Sequence, residues 1–335
     1  MQADVRAFAP GRVNLIGEHT DHTGGRCLPM AVAMGVHVEG RREGDAVLLS
    51  SHEVPGVIDV PLDVVAPEHV EPAWGRYVAG VVAELRPVTG LTGAVRSDLP
   101  VGAGMSSSAA LEVAVALALG FEGSVEDLAR TCQAAEQRAS GVPCGILDQL
   151  ASAAGREGHA FVLDCHTLER TYVPVPDAVE VHVVHSGQAR ALAGSAYAQR
   201  RRQCEEAESV IGPLRLASLD DVATIADDVL RRRARHVVTE NQRVLDAADA
   251  LRAGDAAGLG ALLDEGHRSL RDDFEVSTPV VDATVERLRS VPGVHGVRLM
   301  GGGFGGCVVA ACEPGALDEG WLVRPGAGAR RDPAG

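Results

Sequence analysis

The feature that most limits how this chain can fold is DLPVGAGMSSSAALEVAVALALGF, residues 98–121. A glycine turn runs straight into a helix that is apolar nearly all round. Such a helix has to be covered by other layers on every side. Gly102 and Gly104 let the backbone approach a ligand closely. Ser106, Ser107 and Ser108 are good N-caps. Converging amides and the positive end of the helix would make an anion site from Gly102, Ala103, Gly104, Met105 and the three serines. A serine hydroxyl there could also ligate Mg²⁺. The segment reads equally well as a serine-capped turn before a buried helix, and local sequence does not choose.

Composition narrows the chemistry. The chain contains no lysine. That excludes Schiff-base catalysis, pyridoxal phosphate enzymes, a GxxxxGK[ST] P-loop and a protein kinase. A nucleotide phosphate would have to be held by backbone amides, arginine and metal. A length of 335 residues fits two domains or one large α/β domain. A net charge of −15 argues against nucleic acid or an anionic membrane as partner. Aromatics at 3% argue against stacking platforms for single strands. The most apolar stretch, Ala109 to Leu119, is interrupted by Glu112 and is too short to span a bilayer. No signal-peptide pattern opens the chain. Seven cysteines with no CxxC pair read as reduced, buried thiols of a cytoplasmic protein.

Along the chain, residues 36–66 read as strands and 74–86 as a helix. Residues 125–140 form an amphipathic helix that stops at Gly141-Val142-Pro143. CGILDQLASAAG opens another, and HAFVLDC and EVHVVHS read as strands. Long charged helices follow, and the RRRARH run reads as a solvated face. Thr278-Pro279 starts a helix that ends near Pro292-Gly293. A domain break near residue 170 gives units 1–170 and 171–335. The tail after Glu313 reads as loosely ordered.

Three further clusters carry candidate chemistry. GRVNLIGEHTDH packs Arg12, Asn14, Glu18, His19, Asp21 and His22 between apolar runs. That density of donors and acceptors suits a polyhydroxylated ligand. A metal triad of His19, Asp21 and His22 is the poorer reading, because they are too close for a closed zinc site, and a solvated turn is a third. Gly301, Gly303 and Gly306 match GxGxxG, but a strand follows where a dinucleotide fold needs a helix. A strand–loop–strand turn that brings backbone near a ligand fits better; a plain hairpin is the alternative. Asp148 and Glu136 could serve as a base and a metal ligand, although local sequence favours surface or capping acids.

APGRVNLIGEHTDHTGG, PVGAGMSSSAALEVA, CGILDQ with EGHAFVLDC, and RLMGGGFGGC together resemble the galactokinases of the GHMP small-molecule kinase superfamily. AYAQRRRQCEE, RARHVV and GHRSLRDDFEVSTP extend the resemblance over most of the chain. It implies a two-domain α/β (α+β) GHMP kinase fold of mixed sheets and helices, with the active site in the cleft between domains. It implies phosphoryl transfer from ATP to the C1 hydroxyl of galactose. By resemblance, Asp148 is the base and Arg12 stabilises the transferring phosphoryl. Glu18, His19, Thr20, Asp21, Gly145 and Tyr197 contact the sugar. Gly102 to Ser108 wrap the triphosphate, Ser108 and Glu136 hold Mg²⁺, and Trp74 lies near the adenine. His22 stands where many galactokinases have Tyr, Thr23 where many have Asn, and HSGQAR at 185–190 also departs. These differences bear on sugar choice, and a His22 that reaches the sugar pocket in place of Tyr could protonate near neutral pH. A related kinase for an amino sugar or pentose, and a non-catalytic galactose/ATP sensor, are the competing expectations.

Overall fold

Each apolar run named above takes its expected form in the computed structural model, which describes residues 4–189 and 193–332. In chain order the strands are β1 (Val5–Asn14), β2 (Arg26–Cys27), β3 (Pro29–Arg41), β4 (Ala46–Ser51), β5 (Val57–Pro61), β6 (Leu91–Ser97), β7 (His159–Asp164), β8 (Arg170–Pro174), β9 (Glu180–His185), β10 (Val294–Leu299), β11 (Cys307–Cys312), β12 (Trp321–Val323) and β13 (Arg330–Asp332). The helices are α1 (Gly75–Leu85), α2 (Ser107–Ala118), α3 (Val125–Ser140), α4 (Leu147–Ala154), α5 (Ala193–Ile211), α6 (Leu219–Ala223), α7 (Asp228–Ala253), α8 (Ala256–Asp272) and α9 (Pro279–Arg289).

The first sheet runs β13-β1-β3-β6-β4-β5, the second β10-β11-β9-β12 and the third β2-β7-β8. All pairings are antiparallel except β4 with β6. Helix α2 lies in the core beside the first sheet and α1, as its apolar surface requires. That core is continuous with residues of β9, α7 and α8, so the two halves share it. A second core packs the sheet of β9, β10 and β11 against α5 to α9. Thr278 caps α9 through Val281 N, with Pro279 in the first turn, as the sequence predicts.

Three expectations fail for physical reasons. The tail is ordered as far as residue 332: β12 joins the second sheet, and β13 returns to pair with Arg6–Phe8 of β1. Those bonds satisfy the backbone of an open strand edge, which hydropathy does not report. No serine side chain caps α2. Ser106 sits in a left-handed conformation and its hydroxyl points to Asp148 instead. The RRRARH run is not a fully solvated face: Arg233 is buried and bonds Gln203 Oε1, the Asp273 carbonyl and Glu275.

Candidate active site

The phosphate-loop candidate hangs between β6 and α2. Gly102, Gly104 and Ser106 all have positive φ, of 80°, 66° and 55°. Alternating left-handed residues turn successive amides toward one concave side, which is an anion-binding shape. Ala103 and Met105 point into the core and anchor the loop. A register shift in β1 between Pro10 and Arg12 re-aims the strand here. Arg12 N then donates to the Met105 carbonyl at 3.0 Å.

Arg12 is buried, and its Nε donates to Asp148 Oδ1 at 2.6 Å. Its Nη1 donates to the Gly104 carbonyl at 2.9 Å. The other oxygen of Asp148 accepts from Ser106 Oγ at 2.5 Å. Asp148 lies in the first turn of α4. Ser108 Oγ donates to Glu136 Oε1 at 2.8 Å. Burial and then the charge of Asp148 push the Glu136 carboxyl up to about 7, against the pull of Ser108, Gln149 and Arg12.

On the other side of Arg12 lies the polar motif. Glu18 accepts from Asn14 Nδ2 at 2.6 Å, from Gly301 N at 2.9 Å and from the buried Arg298. Burial still holds Glu18 above the usual carboxylate range, with Arg298 opposing. The His19 ring lies 4.6 Å from Phe274 and 5.3 Å from Tyr197, centre to centre. Burial holds His19 well below its ordinary pKa, so it is neutral. Asp21 presses on Gly145: a Cβ there would lie 1.8 Å from Asp21 Oδ2. Burial and the nearby Asp148 push Asp21 up to about 6.

Two cavities meet at these residues. One, of about 450 Å³, is lined by Glu18, His19, Asp21, Gly145, Tyr197 and the turn Gly301-Gly302. The other, of about 430 Å³, is lined by Gly102, Gly104 and Ser106 to Ser108. Arg12, Glu136 and Asp148 line both. The glycine loop after β10 is the expected strand–loop–strand turn. It touches the polar motif through Gly301 and the phosphate loop through Cys307 Sγ, 3.5 Å from the Gly102 carbonyl. A larger cavity, about 720 Å³, lies elsewhere, between Phe8, His37 and Leu322, and holds no candidate site residue.

Some candidates fall outside this picture. Thr20 does not line the cavity; it is fully buried, with its hydroxyl between the Gly17 and Arg26 carbonyls. It shapes the loop. Trp74 lines neither cavity and packs against the core, while Tyr77 lines the one beside Asp21. His22 lines a separate cavity of about 180 Å³, and burial pushes its pKa down to about 3, so it is not a switch near neutral pH. His185 and Ala189 border the phosphate side, not the polar motif; Arg190 lies outside the described residues. Among the described residues no group of three or more His, Cys, Asp or Glu is set to hold a metal, so the His19–Asp21–His22 triad fails.

Sequence reasoning gave no role to the residues that hold the motif. Glu240 Oε1 accepts from Gly17 N at 2.9 Å, and Asn241 Oδ1 accepts from Arg26 N at 2.6 Å. His236 Nε2 lies 3.1 Å from the Glu18 carbonyl. Arg298 Nε donates to the Leu15 carbonyl at 2.5 Å. Spacings of four and five residues set Glu240 and Asn241 within about 140° of His236 around α7, but only the fold shows what that side meets.

Comparison with known proteins agrees with the geometry. Residues 2–42 match the galactokinase galactose-binding signature, 76–156 the GHMP kinases N-terminal domain and 247–321 the GHMP kinases C-terminal domain. A Homo sapiens galactokinase is 43% identical, over 94% of this chain and 85% of that one. The crystal structure of Lactococcus lactis galactokinase complexed with galactose superposes with a TM-score of 0.90 at 32% identity, covering 97% of this chain and 94% of that one. A mevalonate kinase structure shares the fold at 18% identity, with a TM-score of 0.66 over 93% of this chain and 92% of that one. By sequence, fold and paired cavities, the chain belongs to the galactokinase family of GHMP kinases.

Proposed function

We propose that this protein transfers the γ-phosphoryl group of ATP to the C1 hydroxyl of D-galactose, giving galactose 1-phosphate and ADP. The observation that carries this is the meeting of a polar cavity and a phosphate-loop cavity at Arg12, Asp148 and Glu136. Phosphoryl transfer needs positioning and charge neutralisation more than covalent chemistry.

Asp148 is the base that takes the C1 hydroxyl proton, with Arg12 and Ser106 fixing its two oxygens. Arg12 stays charged and stabilises the phosphoryl oxygens in transit. The sugar lies against Glu18, His19, Asp21, Gly145 and Tyr197. Asp21 accepts from a vicinal pair of hydroxyls. Glu18 has most of its acceptor capacity taken by Asn14, Arg298 and Gly301, so it offers the sugar at most one further bond. The amides of Gly102 to Ser108 wrap the triphosphate. Residues 1–170 carry both substrate motifs, and the second half adds Tyr197 and Gly301-Gly302 to the sugar side, while β8 and β13 pair back with strands of the first half.

Ser108 Oγ and Glu136 Oε1 are hard oxygen donors side by side, in a buried setting with the Asp148 carboxylate nearby that a cation would relieve. They fit Mg²⁺, which would neutralise the phosphate oxygens when bound with ATP. All seven cysteines are free, which suits the cytoplasm. No described helix is long and apolar enough to cross a membrane.

The test is ATP consumption with galactose, talose, glucose, galactosamine, N-acetylgalactosamine and arabinose, with the product analysed at C1. Galactose should be used and carry phosphate at C1. Equal use of glucose would refute the reading, because site groups should lose their partner to an epimer.

A further inference from the structure

Past its opening serines, helix α2 is apolar but for one carboxyl, Glu112, which has no exposed surface. Packing alone would favour an apolar residue, since burying a carboxyl is costly unless it is fully bonded. It is not fully bonded: Glu112 Oε1 has no partner among the described residues. Its Oε2 accepts from Gln149 Nε2 at 3.3 Å. Gln149 is equally buried and follows Asp148 on α4. The same Nε2 donates to Glu136 Oε2. One amide nitrogen has two protons, so it can serve both carboxyls. With the carboxyls ionised, the reversed amide would set its oxygen against their oxygens. With Oε2 held by Gln149, Glu136 presents Oε1 to Ser108.

We propose that Glu112 and Gln149 are positioning residues that brace Glu136, keeping its Oε1 beside Ser108 and thereby setting how readily the protein takes Mg²⁺ with nucleotide. This rests on the metal reading above. Glu112 orients Gln149, Gln149 fixes the rotamer of Glu136, and neither touches substrate. Outer partners of this kind typically change metal affinity by about 10–100-fold when lost.

The test measures binding of a non-hydrolysable ATP analogue at graded Mg²⁺, without turnover. Gln149→Leu should raise the half-saturating Mg²⁺ by about tenfold or more, and leave galactose affinity unchanged. Glu112→Leu should move it the same way, and Glu112→Gln, which keeps an acceptor for Gln149, should rescue it. The Glu112→Leu, Gln149→Leu double variant should be less than additive. Thermal melts establish folding; if Glu112→Leu does not fold, Gln149→Leu still decides. A folded Gln149→Leu protein with the Mg²⁺ dependence of the parent would overturn the brace, as would Glu112→Gln behaving like Glu112→Leu. Glu136→Ala in the same assay separates the two readings. If it too leaves Mg²⁺ dependence unchanged, the metal assignment has failed; if it alone responds, only the brace has failed.

Discussion

The polar motif at 12–27 and the phosphate loop at 101–108 flank the same aspartate, yet they are held in opposite ways. Glu18, His19 and Thr20 are at most 4% exposed. The backbone around them, at Leu15, Gly17, Glu18 and Arg26, is fastened from the far half of the chain by Arg298, Glu240, His236 and Asn241 in turn. The phosphate loop has Val101 at 94% exposure, while Ala103 and Met105 within it are buried. It leans on Arg12 and on core contacts of Ala103 and Met105. The first is a cavity shaped before ligand arrives, suited to telling epimers apart. The second is an open nest of amides, and the proposed function has it take phosphate by charge and shape.

The largest effect should come from the residue the two regions share. Asp148→Asn should lower kcat by about 10²–10⁴-fold without unfolding the protein. Turnover like the parent's would remove Asp148 as base. Next, Asp21→Ala should raise the KM for galactose and leave that for ATP nearly unchanged. A lost buried acceptor costs about 1–3 kcal/mol, or roughly 5–150-fold. Equal rises in both constants would break the division between regions. On the other side, Ser108→Ala and Glu136→Ala should each weaken Mg²⁺–ATP use while sparing galactose binding, with less than additive effects together. Gly145→Ala sharpens the contrast with a single methyl. Its Cβ would fall 1.8 Å from Asp21 Oδ2, so Asp21 must shift and galactose KM should rise several-fold with ATP KM unaffected.

The smallest effect is on stability. His236 is buried neutral on the sugar-side fastening, its pKa pushed from 6.5 to about 4 by burial. Between those values the unfolded chain binds more protons than the folded one, so stability falls as pH drops from about 6.5 through about 4. His236→Gln should flatten the fall of Tm over that window; an unchanged slope would show that His236 does not contribute.

Legibility in the sequence followed how local each device is. Arg12, Asp21, Ser108 and Asp148 stand in short motifs, and although local sequence left Ser108 and Asp148 open, the family resemblance picked out all four, which the structure brings to two adjoining cavities. The fastening of that site was not legible. Glu240 meets Gly17 across 223 residues, and nothing near either residue signals the other. The β13 edge strand escaped because backbone pairing, not side-chain pattern, holds it. Ser106 misled because a residue suited to capping took a left-handed turn and turned to Asp148.

If the sugar cavity is shaped in advance, calorimetric titration of galactose into the nucleotide-free, metal-free protein tests the account most directly. The account predicts one-to-one binding of galactose, no comparable binding of glucose, and a loss with Asp21→Ala but not with Ser108→Ala. Galactose binding that appears only with nucleotide, or equal binding of glucose, would contradict it.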